Sequence, residues 1–176
     1  MRQGKPIDLK KAILETWAIS DAANQLLLKH MNDRVWRAPA PGFSKQKSIA
    51  TIFAHLHNCR LMWLKMTGKR TGLPASLDRR KCTRPQVSAA LRRSAKAISD
   101  HIARGLARDD GRVKNYPLNA ATFMCYLLAH DAHHRGQIMM LSRQLGYRLP
   151  GKVNYGIWHW GKLWRSLGTS RRWPMP

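Results

Sequence analysis

Two histidines four residues apart, His130 and His134, stand in the most apolar stretch of the chain. On a helix that spacing projects both imidazoles from one face, where they can reach a single ion. His55 lies in a second apolar stretch, among Phe53, Leu56 and Met62, another interior position. Two ligands on one helix and a third on a facing one build a metal site inside a bundle and leave coordination positions open. The HxxxH spacing also arises from packing alone, and His133, three residues from His130, could replace His134 in the pair. The string His130-Asp131-Ala132-His133-His134 imitates the HExxH of zinc peptidases with Asp in place of Glu. The shorter acid would stand farther from a metal-bound water, and Glu15 is the sole glutamate, so no downstream Glu ligand exists. A peptidase site is excluded.

These residues need helices to hold them, and four stretches carry helical periodicity. The first runs from Asp8, an N-cap, to about His30, marked by Ile13, Leu14, Trp17, Leu26 and Leu27. Pro39 and Pro41-Gly42 break the chain. The second helix starts after Ser44 or Ser48 and runs to about Met66, apolar around much of its circumference and therefore buried. A basic loop follows, and Thr83-Arg84-Pro85-Gln86 reads as a capping box with proline in the first turn. Val87, Leu91, Ile98 and Ile102 mark the third helix. Asn119 caps the fourth, Ala120 to about Leu145, and Gly146 stops it. With no run of period-two alternation, the expected class is all-α: a four-helix bundle over residues 1–150. Residues 151–176, rich in Trp, are expected to form a short aromatic helical extension packed on the same domain.

The motifs sit at telling places in this order. Ala129-His130-Asp131-Ala132-His133-His134-Arg135-Gly136-Gln137-Ile138 resembles the HxxxHRGQ signature of the DinB/YfiT-like superfamily, and Ala54-His55-Leu56-His57-Asn58 followed by Trp63-Leu64 resembles its second-helix ligand segment. The resemblance covers about residues 8 to 150, and Trp158-His159-Trp160-Gly161 is similar to the Trp-rich end of one branch. It implies a metal-binding four-helix bundle with His55, His130 and His134 as ligands. His57, turned roughly 200° around the helix from His55, is then left out. His133 is left to pack or hydrogen-bond near the rim. Arg135 and Gly136 would serve structure, Gly136 by permitting close helix approach, and Gln137 would orient a ligand. The implied cofactor is a divalent ion, zinc or nickel, together with a low-molecular-weight thiol. The implied activities are thiol-dependent S-transfer or isomerisation, or metal-dependent hydrolysis. The family's name refers to induction by DNA damage, which concerns regulation and not chemistry. Relatives dimerise, so a homodimer is a further expectation.

The charge offers a rival. Among 176 residues, 32 Lys and Arg face nine Asp and Glu, a net +23. Such a balance attracts polyanions or anionic ligands and says nothing of fold. Lys65, Lys69, Arg70, Arg79, Arg80, Lys81 and Arg84, then Arg92, Arg93, Lys96, Arg104, Arg108, Arg112 and Lys114, would form a phosphate-binding strip if they share one side. Arg165, Arg171 and Arg172 beside Trp164 and Trp173 could stack on bases. No sequence-reading motif is present, so such binding would be non-specific. Alternatively the field steers an anionic small-molecule substrate toward the metal. The longest apolar run, Phe123 to Ala129, is far too short for a membrane span. No apolar region follows Met1-Arg2-Gln3-Gly4-Lys5-Pro6, and the three widely spaced cysteines, Cys59, Cys82 and Cys125, form no disulfide framework. A reduced, cytoplasmic protein is expected.

Overall fold

The computed structural model describes residues 6–42, 47–69 and 71–168. Four long helices make the bundle: α1 (Leu9–Lys29), α3 (Ile49–Met66), α4 (Arg84–Leu106) and α5 (Ala120–Gln144). A single-turn helix, α2 (Asp33–Trp36), lies between the first two, and α6 (Gly151–Asn154), a 3-10 turn (Gly156–Trp158) and α7 (Trp160–Ser166) follow the last. There is no strand among the described residues, only an isolated bridge between Arg112 and Asn119.

The helix starts are written locally. Asp8 accepts from the Lys11 N–H, and Asn119 accepts from that of Thr122. Ser48 and Thr51 form a reciprocal capping box at α3, and Thr83 and Gln86 form another at α4; each satisfies amide donors that the first turn leaves without helical partners. Ser48, not Ser44, is the cap of α3; Ser44 lies outside the described residues.

Helices α1 and α3 each pack against both α4 and α5, so α1 faces α3 across the bundle diagonal. Two apolar clusters fill the interior. One includes Leu27, Phe53, Leu56, Leu91 and Ile138, and the other Trp17, Leu64, Ile98, Ile102 and Phe123. Between them lies a polar layer. Arg60 of α3, fully buried, donates to Asp21 of α1 at 3.0 Å, to Asp131 of α5 at 2.5 Å and to the Leu91 carbonyl of α4 at 3.1 Å. Its guanidinium carbon stands 4.6 Å from the centre of the Trp17 ring, which adds a cation–π contact. One side chain thereby ties all four helices together.

The extension packs on α1, where Ile157 and Leu163 meet Ile19 and Ala23. Its aromatic rings do not all turn inward: Trp158 and Trp160 are exposed, while Trp164 packs with the aliphatic residues of the contact. At the other end of the bundle, α4 passes close to the start of α5. A Cβ on Gly105 would lie 2.9 Å from the Ala120 Cβ and 3.0 Å from the Val113 Cγ2. Gly105→Ala gains up to about 1 kcal/mol of helix propensity but overpacks this contact at a cost of about 1–3 kcal/mol. A net loss of about 1 kcal/mol is expected, read as a lower urea midpoint with an unchanged slope.

Candidate metal centre

Helix α3 presents His55 and α5 presents His130 and His134 to the same point between them. One ligand nitrogen from each lies within 4.8 Å of the others, and all three rings are half-buried. The His130 and His134 Nε2 atoms are 3.2 Å apart. That spacing matches the edge of a tetrahedron with metal–nitrogen bonds of about 2.0–2.1 Å, which is roughly 3.3 Å. The His55 ring centre is 5.4 Å from that of His130 and 4.7 Å from that of His134. The group can hold a metal ion.

Of the three rings, His134 is held from behind by a hydrogen bond. The Nδ1 of His134 is 2.9 Å from the Gln137 Oε1, an acceptor that fixes the proton on Nδ1 and leaves the Nε2 lone pair free. His130 turns its Nδ1 toward the Asp131 Oδ1 at 4.0 Å, an ion-pair distance rather than a hydrogen bond. Asp131 is wholly buried, and that oxygen has no hydrogen-bond partner, whereas Oδ2 accepts from both Arg60 and Asn24. This buried oxygen without a partner is the kind of acceptor that carboxylate–histidine–metal arrangements use, standing 4.0 Å from the His130 ring. Arg135 bonds to Ser20 and Asn24, fastening α5 to α1 beside the same network.

Electrostatics differ sharply among the three rings. Burial pushes Asp131 up, but the charge of Arg60 and the hydrogen bonds it receives prevail and hold it at about 2. Asp131, then Cys59, raise His130 to about 9 against the effect of burial. Burial, then the neighbouring imidazoles, lowers His134 to about 4, and burial followed by His130 and Arg79 lowers His55. At neutral pH the metal-free cluster therefore carries its proton on His130. A divalent ion must displace it. Metal uptake at about pH 7.5 is expected to release close to one proton per ion, falling toward zero above about pH 9, as affinity stops rising with pH. Calorimetric titrations in buffers of different ionisation enthalpy measure this directly.

His57 is buried on another face of α3, with Nε2 3.0 Å from the Ala75 carbonyl, and takes no part in the cluster. His133 is exposed and receives a hydrogen bond from Gln137 Nε2 at 2.9 Å, so it braces the amide that orients His134. Two expectations need correction. Met62 is exposed and is not part of an interior around His55, from which it stands two turns along α3. Gly136 is exposed, and a Cβ there would meet open space, so it permits no close helix approach.

Three neighbours were not foreseen. Tyr126, one turn before His130, stacks at 6.4 Å between ring centres and an angle of 22°. Trp63 backs Tyr126 edge-on at 5.0 Å. Cys59, one turn after His55, is buried beside His130. Spacing could have pointed to two of them, since Tyr126 and Cys59 sit four residues from a ligand on its own helix.

The family model described as DinB family matches residues 7–165 of the chain. No curated protein and no solved structure matches it.

Proposed function

The chain belongs to the DinB family, and from that membership and its three converging imidazoles we propose that it is a divalent-metal-dependent enzyme, a thiol-dependent S-transferase or a hydrolase. The observation that carries the reading is the three-nitrogen cluster, with Gln137 hydrogen-bonded behind His134. A bound zinc or nickel ion would supply Lewis acidity, lowering the pKa of a coordinated water or thiol. The residues around it do the rest. Three neutral imidazoles add no charge, so the ion's charge is not offset by its ligands. Gln137 keeps His134 aimed through Nε2, and the Asp131 carboxylate stands behind His130 at ion-pair distance. Tyr126, backed by Trp63, stacks on His130 at one side of the cluster. The positive surface would draw in an anionic small molecule, such as a carboxylated thiol.

The test is turnover by zinc- or nickel-loaded protein of monochlorobimane with a panel of small thiols, alongside ester hydrolysis. The reading predicts activity that disappears in His55→Ala and on chelation. Equal activity in chelated protein, or none with any thiol or ester, would contradict it. All three cysteines are free thiols, which suits a reducing, cytoplasmic setting. No described helix is long and apolar enough to cross a membrane. A homodimer remains part of the proposal by family resemblance.

A second reading, non-specific polyanion binding, draws support from α4, where Arg92, Arg93, Lys96 and Arg104 are all exposed. Arg70, Arg171, Arg172 and Trp173 lie outside the described residues, and Trp164 is partly buried against the α1 contact. This binding would fall steeply with salt and survive loss of His130.

A further inference from the structure

A large cavity among the described residues lies away from the imidazoles. It is a groove of about 1120 Å³ on the outer side of α1, bounded by α4 along one edge and by the C-terminal extension along the other. Its volume is that of a small-molecule site of the larger kind. Trp17, Ala18, Ala22 and Leu26 of α1 line it, with Leu163 and Leu167 of the extension. It shares no residue with the three-histidine cluster.

The groove has two different ends. Trp17 Nε1 donates to the Ala95 carbonyl, Gln25 bonds with Ser88, and Arg84 donates to the Met31 carbonyl, so α1 and α4 run antiparallel. Lys29 and Arg84 therefore meet at one end. Lys152 joins them there, because Tyr147, just before α6, donates its hydroxyl to the His30 carbonyl. Among the described residues Lys29, Lys152 and Lys162 make no ion pair, whereas Arg84 is paired with Asp33 at 2.7 Å. At the other end Lys96 is already paired with Asp100. Asp21, the remaining acid of the wall, is committed to Arg60.

Charge selects the occupant. Residues 169–176 of the chain itself contain Arg171 and Arg172 and no acid, and a second copy would bring another net +23. Both repeat the charge of the rim. We propose that the groove binds a single anionic amphiphile, a carboxylate or a sulfate or phosphate ester on a hydrocarbon body. The body lies along Ala18, Ala22 and Leu163, and the headgroup sits between Lys29 and Lys152, the cations of that end with no ion pair. This site is independent of the metal.

The test uses the full chain and dodecanoate below its micellar range, followed by calorimetry. One saturable site per chain is expected, with no binding of dodecyltrimethylammonium. Ala18→Phe, which fills part of the groove, and the double variant Lys29→Glu/Lys152→Glu should each weaken binding at least about tenfold. Both variants should keep the wild-type melting temperature and zinc uptake, which separates loss of the groove from loss of the fold. Absence of saturable dodecanoate binding would overturn the proposal. So would equal binding of the cationic amphiphile, wild-type affinity in folded variants, or binding only to anionic vesicles.

Discussion

Arg60→Leu is expected to lower the unfolding free energy by about 3–5 kcal/mol, because it leaves buried carboxylates without their cation. For a chain of this size that is a fall in melting temperature on the order of 10 °C. The cost comes from what remains and not from the bond removed. Asp131 is wholly buried, and Asp21 nearly so. In the wild type Asp131 is held at about 2, and burial, outweighing Arg60, raises Asp21. A depressed carboxylate pKa contributes stability above the unfolded value of about 4, and that contribution is lost as pH falls toward the folded value. Without Arg60 the burial of Asp131 acts with less opposition and its pKa moves up, so the variant loses stability as pH rises through that raised value. The gap between wild type and variant is thus widest at neutral pH and narrows in acid. Urea unfolding at several pH values measures it, and a gap independent of pH would contradict the electrostatic account.

His134→Ala is expected to reduce affinity for zinc by at least about a hundredfold, since it removes a ligand outright, whereas loss of the supporting amide in Gln137→Ala should cost about 10–100-fold. His133→Ala provides the contrast. It sits on the same turn of α5, three residues from His130, but outside the cluster, so its affinity should stay within about threefold of wild type, a difference of less than 1 kcal/mol. Competition with a chromophoric chelator reads all three. A ranking in which His133→Ala is as damaging as His134→Ala would mean that a different pair of imidazoles on α5 holds the ion.

The parts of this architecture that were legible in the sequence are those with local causes. Asp8, Ser48, Thr83 and Asn119 announce helix starts because a cap and its amide lie within three residues. The pairing of His130 with His134 follows from helix pitch. Helix α2 was not legible, since one turn has no periodicity; Val35 and Trp36 fill the core by tertiary contact. Arg60 was not singled out either. A lone arginine in an apolar helix reads as an exposed face until Asp21 and Asp131, from two other helices, are brought to it. Met62 and the exposed tryptophans of the extension failed in the opposite sense. Residue type suggested burial, but each is exposed, and residue type alone does not say where a neighbouring element ends. The groove is legible only in three dimensions, because its walls come from α1, α4 and the chain's end.

The most direct test of the central claim is the metal content of purified protein, by elemental analysis of the wild type and of His130→Ala, each after reconstitution with zinc or nickel. The account predicts one ion per chain in the wild type and none retained in the variant, with both proteins folded. A wild type that retains no stoichiometric metal, or a variant that retains it fully, would contradict the three-histidine centre.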